Sequence, residues 1–266
     1  MSARSTERFS SRVEAYLKYR PHYPSAVIET LREATGLASN HIVADIGSGT
    51  GFSAELFLAN GNLVYGVEPN APMRQAGERY LATWKNFRSI DGTAEATTLA
   101  DRSVDYVVAG QAFHWFNLDE AHREFKRILR PRGWMIILWN DRQTDSTPFL
   151  KEYEKLLLDF GTDYVLVNHR NFELRSSPDS NITNSNARRT QDFFHGSKIH
   201  EFHFENIQCF DYEGVKGRLL SSSYVPDASD PNHDAMLARL KEIFDRHADR
   251  GNVEMRYTTL LYAGQL

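Results

Sequence analysis

The chain has 266 residues, of which 41% are hydrophobic and 25% charged, and its formal net charge is −4. This composition is typical of a globular protein with a substantial core, and slight acidity without a dense basic run argues against nucleic-acid binding. The single cysteine, Cys209, excludes an intrachain disulfide, and no apolar run reaches the length needed to span a membrane, so we expect a cytoplasmic protein.

The first predicted elements are two helices separated by prolines. Residues 7–18 place apolar side chains on one side of a helix. The segment from Tyr19 to Pro24 stops this helix, because two of its residues are proline. The next helix is predicted to begin with Ser25 as its N-cap and to end at Gly36.

The chain is organised around a predicted strand, a glycine turn and a helix. Ile42 to Ile46 is apolar apart from Asp45, glycines follow at every second position from Gly47 to Gly51, and residues 52–59 have a helical apolar pattern. Such a unit places backbone N–H groups and a helix N-terminus against a ligand. Glycine is favoured there because it accepts positive φ angles and lets a ligand approach closely.

Two classes of ligand compete for this turn. Gly49 to Ala54 formally matches the dinucleotide-binding pattern G-x-G-x-x-G/A. In the better alignment Gly47 closes the strand, and the third small position falls on Phe52, which is not small. A phosphate-binding P-loop is excluded because no Gly-Lys-Ser/Thr follows.

The charges around the turn favour a positively charged ligand. Asp45 lies two residues before the first glycine, and Glu68 ends the next strand, predicted over residues 62–67. No Lys or Arg lies between Arg32 and Arg74. Acids at these strand ends would repel a pyrophosphate but attract an ammonium or sulfonium group. Glu68 also lies about twenty residues past the glycines, where an acid typically accepts from ribose hydroxyls.

The later elements are predicted from apolar periodicity. Strands are predicted over residues 87–90, 103–109, 134–139, 201–210 and 253–263. Helices are predicted over residues 71–82, 118–129, 149–160, 212–219 and 234–247. Residues 161–199 are polar and rich in Asn and Ser, and a long insertion of this kind usually forms a lid or a binding element.

The loop after the fourth predicted strand is a candidate for the reacting centre. It contains His114, Trp115 and Phe116, and catalytic groups usually project from the ends of such strands. The functional interpretation makes His114 a general base or a hydrogen-bond donor to an acidic substrate, with Trp115 and Phe116 as an apolar wall. A packing role for the two aromatic residues, with His114 bonded to backbone, stays open.

These motifs together resemble class I S-adenosylmethionine-dependent methyltransferases, within the small-molecule branch that includes trans-aconitate-methyltransferase-like enzymes. The resemblance runs from about residue 8 to the C-terminus and thins out beyond Asn140. The residues that carry it are V-A-D-I-G-S-G-T-G-F, V-Y-G-V-E-P-N, Asp91–Glu95, Ser103–Asp105, Gln111–Phe116 and Leu129–Gly133.

The resemblance implies an α/β fold with a Rossmann-like, seven-stranded mixed sheet whose last strand is antiparallel, sandwiched by helices. It implies a single methyltransferase domain over residues 1–266. Its parts are an N-terminal lid helix and loop over 1–30, a cofactor-binding core over 36–145, a cap insertion over 146–199, and C-terminal strands and a helix over 200–266 that complete the sheet.

The resemblance also implies site residues beyond the glycine turn and its acids. It places Tyr19 and Arg20 near the carboxylate end of the cofactor, Met73 near the adenosine, and residues 93–95 beside the adenine. The whole predicted cofactor site is Tyr19, Arg20, Asp45, Gly47, Ser48, Gly49, Thr50, Glu68, Pro69, Met73, Thr93, Ala94, Glu95, Gln111 and Ala112. The predicted catalytic residues are His114 and Trp115, and the predicted substrate-binding residues are Tyr23, Phe116, Arg170 and Tyr224.

The predicted function is methyl transfer from S-adenosyl-L-methionine to a small-molecule acceptor, a carboxylate or hydroxyl compound, by in-line displacement. No metal, nucleic-acid or membrane partner is expected, and the protein is expected to be a monomer or a homodimer. Two alternatives remain: an NAD(P)-dependent oxidoreductase on the same strand–turn–helix unit, and a non-catalytic protein that binds the cofactor.

Overall fold

The computed structural model describes residues 13–162, 164 and 190–266. These residues form two compact units. The first unit consists of residues 22–140, 190–204 and 259–266, and the second of residues 13–21, 141–162, 164 and 205–258. The subdivision predicted from the sequence stays a prediction, and about half of the predicted cap insertion, residues 163 and 165–189, lies outside the described residues.

The described strands form one seven-stranded sheet in the order β3-β2-β1-β4-β5-β7-β6. The strands are β1 Ile42–Ile46, β2 Leu63–Val67, β3 Phe87–Ile90, β4 Val104–Gly110, β5 Leu129–Arg142, β6 Ile199–Phe210 and β7 Val253–Gln265. The boundary between the two units falls within β5, β6 and β7.

Five neighbouring strands, from β3 to β5, pair in parallel. The last strand, β7, runs antiparallel to β5, as predicted. Two contacts within the first unit show this direction: Gln265 donates to the Arg132 carbonyl, and Thr259 donates to the Asn140 side chain. As residue numbers rise along β7, those of its partners on β5 fall.

Helices precede and follow these strands. They are α1 Val13–Tyr19, α2 Ala26–Thr35, α3 Phe52–Ala59, α4 Ala71–Tyr80, α5 Leu118–Ile128, α6 Pro148–Phe160, α7 Tyr212–Leu220 and α8 His233–His247. Within the first unit, alternate strand residues face opposite sides of the sheet. Val43 packs with the apolar faces of α2 and α3 in one core cluster, whereas Ala44 belongs to another cluster together with the apolar face of α5.

The second unit has its own apolar core, formed by α6, α7 and α8 with the N-terminal part of β7. Tyr19, at the end of α1, packs closely on α7. A Cβ added to Gly217 would collide with the Tyr19 ring, so only glycine allows this approach.

Three details differ from the sequence-based expectations. The fifth strand begins at Leu129 rather than at residue 134, because Leu129 already pairs with Val104 before a register shift in the ladder. Ser25 occupies the N-cap position of α2, but its backbone is helical and its side chain makes no capping hydrogen bond. The first helix continues through Tyr19, and the part predicted over residues 7–12 lies outside the described residues.

Candidate functional site

The glycine turn after β1 has the left-handed backbone that its sequence predicts. Gly47, Gly49 and Gly51 have φ values of 67°, 54° and 95°. A Cβ added to Gly47 would lie 2.6 Å from the Cβ of Ala112. Gly47 also donates its N–H to the Val67 carbonyl at 2.8 Å. The turn is therefore fixed between the end of β2 and the loop that follows β4.

Glu68 lies directly beside the turn and is bound to it. One carboxylate oxygen accepts the Gly49 N–H at 2.9 Å, and the other accepts the Asn70 N–H at 2.8 Å. Only 5% of the residue is exposed, and burial raises the pKa of Glu68 above its ordinary value. Each oxygen still has a lone pair for a further donor, so the carboxylate can accept from two hydroxyls of a ligand.

Asp45 lies beneath the turn and faces the helix that follows it. Its carboxylate accepts from the Ser53 hydroxyl at 2.7 Å, and the residue is fully buried. Burial raises the pKa of Asp45 to about 7. The carboxyl group is therefore only partly ionised at neutral pH, and it orders the start of α3.

The loop after β4 lies against the glycine turn. Residues Phe113–Trp115 form a single 3-10 turn, and the His114 ring lies 4.4 Å from the Trp115 ring and 5.1 Å from the Trp139 ring, between centroids. Gln111 precedes this turn with a φ of 57° and donates from its side chain to the Asn140 carbonyl at 3.2 Å. His114 is thus held among aromatic rings at the carboxyl end of the parallel strands.

The segment after β3 is fixed to the same loop. The Thr93 hydroxyl accepts the Ala96 N–H, and Ala94 is buried in the core cluster that includes Ala112. The Glu95 carboxylate accepts the Asn117 N–H at 2.9 Å. Asn117 is the N-cap residue of α5, so Glu95 connects the predicted adenine segment to the end of the His114 loop.

Two aromatic residues of the proline segment lie in the first unit. A Cβ added to Gly110 would lie 2.8 Å from the Tyr23 hydroxyl, which places that hydroxyl at the end of β4. The His22 ring stacks on Phe52 with a centroid distance of 4.1 Å and contacts Glu55 at 3.1 Å. Tyr23 is therefore next to the strand end from which the His114 loop begins.

The first unit brings most of the predicted site together. Contacts within it connect the glycine turn, Glu68, Met73 and the loop after β4, with Met73 Cε lying 3.4 Å from a Cβ added to Gly49. Tyr19, Arg20 and Tyr224 belong to the second unit. Arg170 lies outside the described residues.

The second unit contains a buried ion pair. Arg142 contacts the carboxylate of Glu154, and the Tyr164 hydroxyl donates to the same carboxylate at 2.7 Å. The guanidinium also lies over the Tyr153 ring at 5.2 Å from its centroid. Glu154 therefore neutralises Arg142 within an aromatic environment.

Two further arginines lie in this unit. Arg218 is 4% exposed and donates to the Tyr257 hydroxyl at 2.8 Å and to the Ser222 hydroxyl at 3.1 Å. Arg20 donates to the Ser221 carbonyl at 3.1 Å and lies over the Tyr16 ring. Among the residues that the structure describes, neither arginine has a carboxylate in an ion pair. Burial and the neighbouring charge of Arg218 lower the pKa of Arg20.

Sequence reasoning missed Arg218 and the partner of Arg142. Arg218 lies three residues after Val215 and directly before Leu219, both buried on α7. An arginine at such a spacing falls on the apolar face of a helix, and this signal was available. Glu154 lies on the buried face of α6 with Leu150 and Leu157, so an acid among apolar helix positions was the corresponding signal.

The chain is similar in sequence to known methyltransferases over part of its length. Residues 44–137 match the sequence model of the family described as "Methyltransferase domain". An uncharacterized methyltransferase-like protein of Schizosaccharomyces pombe is 30% identical over 153 residues, which are 56% of this chain and 57% of that protein. An uncharacterized methyltransferase of Mycobacterium bovis is 36% identical over 134 residues, 50% of this chain and 52% of that protein. The chain thus spans about half the length of these curated relatives.

The fold is shared with a solved structure over nearly its whole length. A putative type II methyltransferase from Anaeromyxobacter dehalogenans superposes with a TM-score of 0.67 at 19% identity, covering 93% of this chain and 98% of that one. No helix within the described residues has both the length and the apolar character needed to cross a bilayer.

Proposed function

We propose that the protein transfers a methyl group to a small-molecule acceptor. The proposal starts from the class I S-adenosylmethionine-dependent methyltransferase domain of this chain. The observation that supports this most directly is the hydrogen bond between the Gly49 N–H and Glu68. A pyrophosphate at a glycine turn binds to such N–H groups. Here the Gly49 donor is already taken, and the acceptor is itself an acid.

The residues of the turn fit S-adenosylmethionine. The positive φ values of Gly47 and Gly49 give the turn a backbone conformation that other residues rarely adopt. Glu68 offers lone pairs to two ribose hydroxyls, and its charge complements a cation. We assign Met73 and residues 93–95 to the nucleoside side of this site, in keeping with their contacts to the turn and to the loop after β4.

When bound, S-adenosylmethionine supplies an electrophilic methyl group on a sulfonium centre. The main role of the protein is then to position the acceptor. Positioning can lower the activation free energy of a reaction by roughly 7–11 kcal/mol. We assign this task to Tyr23, His114, Trp115 and Phe116. We assign to the Trp115 and Trp139 rings, which lie against His114, the task of limiting water at the reacting face.

His114 is the group we assign to proton transfer. It lies in the loop that begins at the end of β4, beside residues that contact the glycine turn. An acceptor hydroxyl needs to lose its proton during transfer, whereas a carboxylate does not. With a hydroxyl acceptor, His114 takes the proton; with a carboxylate acceptor, it donates a hydrogen bond that orients the acceptor.

Transfer of labelled methyl from S-adenosylmethionine into a mixture of small metabolites tests this function. Wild type and the control variant Glu33→Gln, at an exposed position of α2, should produce one dominant labelled product. Glu68→Gln should produce it about 10–100-fold more slowly at low donor concentration, because a charged hydrogen-bond acceptor is lost. Persistent absence of any labelled product with wild type would contradict methyl transfer and would favour a protein that only binds the cofactor.

A further inference from the structure

Arg74 connects the ends of two neighbouring strands on the nucleoside side of the glycine turn. It lies in the first turn of α4, directly after Met73. One guanidinium nitrogen donates to the Glu68 carbonyl at 2.7 Å, and the other donates to the Asp91 carboxylate at 2.9 Å. Glu68 follows β2, and Asp91 follows β3. A single side chain therefore joins Glu68 to the segment that leads to residues 93–95.

Arg74 differs in kind from the other partners of Glu68. The Glu68 N–H donates to the Ile90 carbonyl at 3.1 Å, and the Glu68 carboxylate accepts from two further N–H groups, those of Gly49 and Asn70. These contacts are all made with backbone groups. Within the described part of the chain, Arg74 is the one side chain that donates to Glu68. Substitution of Arg74 can therefore change the surroundings of Glu68 while these backbone contacts stay in place.

The charge of Arg74 also acts on the Glu68 carboxylate. Burial raises the pKa of Glu68, whereas two backbone N–H groups and the positive charge of Arg74 lower it. Within the described residues, the other charged groups at this pair are acids: Asp45 on β1, which interacts electrostatically with Glu68, and Asp91, the partner of Arg74. Arg74 is thus the positive charge that favours the ionised carboxylate. The ionised form has the most lone pairs to offer to two ribose hydroxyls.

We propose that Arg74 is a positioning residue for the nucleoside half of the methyl donor. Its guanidinium group holds Glu68 and the segment after β3 at the spacing that the ribose and the adenine require. Its charge favours the form of Glu68 that accepts from hydroxyl groups. Arg74 acts through Glu68 and Asp91 and is assigned no contact with the donor. The inference rests on the proposed function, because it takes donor binding at the glycine turn as its premise.

The ion pair itself contributes little to the stability of the fold. The side chain of Asp91 is 72% exposed, whereas that of Arg74 is 17% exposed, and a pair with so exposed a partner is weak. The loss of the Asp91 carboxylate should therefore leave the melting temperature nearly unchanged. A change in nucleoside affinity without a change in melting temperature is a result that a merely structural pair does not give.

Calorimetric titration with 5′-methylthioadenosine between pH 5 and pH 8 tests this role. The compound has the nucleoside and the thioether but no amino-acid end, so it does not itself titrate in this range. Wild type should bind it less tightly as pH falls through the pKa of Glu68, because a protonated carboxyl accepts fewer hydrogen bonds. Arg74→Met should bind it about 10-fold more weakly at pH 8, and its loss of affinity on acidification should begin at higher pH. The same series with S-adenosylhomocysteine should give the same ratios between variants.

Further variants separate the bridge from the charge. Arg74→Lys keeps the charge but has one nitrogen in place of two, so we expect intermediate affinity at pH 8 and a pH dependence close to that of wild type. Asp91→Ala removes one end of the bridge and keeps the Arg74 charge, so it should weaken binding without moving the loss to higher pH. Arg79→Met, an exposed arginine on the same helix, is the matched control and should change neither quantity. If Arg74→Met fails to melt cooperatively, Arg74→Lys and Asp91→Ala decide.

A double variant tests whether the pH effect acts through Glu68. Asp45 titrates in the same range, so the pH dependence of one protein alone does not identify the group. In a Glu68→Gln background, Arg74→Met should leave the remaining pH dependence unchanged. The same shift to higher pH in this background would overturn the electrostatic part of the role, because it would then act through another group.

The inference as a whole is overturned if Arg74→Met binds both adenosyl compounds as tightly as wild type at every pH. It is also overturned if Arg79→Met weakens binding as much as Arg74→Met does. Failure of the proposed function gives a different result: wild type then binds neither 5′-methylthioadenosine nor S-adenosylhomocysteine, and the inference falls with its premise. Binding of both compounds by wild type without any dependence on Arg74 leaves the proposed function intact and removes the positioning role.

Discussion

The two units of the chain differ in the sign of their buried charge: acidic side chains prevail in the first unit and arginines in the second. In the first unit the buried charged residues are Asp45 and Glu68, both acids. In the second unit Arg218 is buried, and Arg142 is paired with the buried Glu154. The acids are stabilised by nearby donors, Ser53 for Asp45 and the N–H groups of Gly49 and Asn70 for Glu68.

This difference separates two kinds of polar site. The acids of the first unit belong to one local motif, which supplies hydrogen-bond donors to their carboxylates. The remaining lone pairs and the negative charge suit a ligand that carries hydroxyl groups and a positive charge. The arginines of the second unit come from distant segments, and the buried Nε of Arg20 has no acceptor among the described residues. The first arrangement is formed by neighbouring residues of one motif, whereas the second is formed by residues that are far apart in the chain.

The largest expected effect concerns the chemistry assigned to the first unit. His114→Ala should lower turnover by about 10²–10⁴-fold, because proton transfer or anchoring is lost, while the affinity for S-adenosylhomocysteine changes little. Steady-state methyl transfer and calorimetry measure the two quantities. His203→Asn, at an exposed position of β6, is the control. An equal loss of stability and activity in His114→Ala would instead support a packing role.

The next effect tests whether charge balance matters in the second unit. Glu154→Gln should lower the free energy of unfolding by about 3–5 kcal/mol, because it leaves Arg142 buried without its partner. Urea denaturation measures this change. Glu152→Gln, on the same helix and paired with Arg246 near the surface, should cost no more than about 1 kcal/mol. Similar losses of unfolding free energy in both variants would show that the buried Arg142–Glu154 pair stabilises the fold no more than the pair near the surface.

A smaller effect tests the backbone of the glycine turn. Gly47→Ala should be destabilised both by the left-handed backbone and by a contact at 2.6 Å with Ala112. Gly36→Ala should be destabilised by the left-handed backbone alone, because nothing lies within 4 Å of its added Cβ. We expect Gly47→Ala to cost about 1–3 kcal/mol more in unfolding free energy than Gly36→Ala. Thermal unfolding of the two variants measures the difference, and equal costs would mean that the loop after β4 does not press on the turn.

A pH dependence in the first unit tests the burial of Asp45. Burial raises the pKa of Asp45 to about 7, so its folded-state value exceeds its unfolded value of about 3.9. The stability that this group contributes is complete below the unfolded value and is lost as pH rises toward 7. Asp45→Asn lacks this titration and keeps an acceptor for Ser53. Its stability relative to wild type should therefore increase between pH 4 and pH 7, which urea denaturation over this range measures. A constant difference would contradict the raised pKa.

The sequence predicted the order and type of the elements in the first unit because their signals are local. The apolar run of β1, the glycines after it and the acid after β2 lie within a short stretch, and each specifies its own structure. The start of β5 was predicted at residue 134 instead of Leu129. The residues around Pro131 do not reveal that Leu129 pairs with Val104 on the neighbouring strand.

The contacts of Arg20 and Arg218 could not be predicted from the sequence in the same way. The Arg20 guanidinium donates to a carbonyl 201 residues away, and Arg218 donates to a hydroxyl 39 residues away. Contacts of this separation are set by how α1, α7 and β7 pack within the second unit. The apolar spacing of α7 could have identified Arg218 as buried, but not the lack of an acid beside it.

The central claim is that the turn between Asp45 and Glu68 binds the adenosyl sulfonium compound and its thioether product, and not a phosphate chain. The most direct test is calorimetric titration of wild type and Glu68→Gln with S-adenosylhomocysteine, S-adenosylmethionine and NADH. We expect wild type to bind both adenosyl compounds and not NADH, and Glu68→Gln to bind them about 10–100-fold more weakly. Binding of NADH by wild type without binding of either adenosyl compound would contradict the claim.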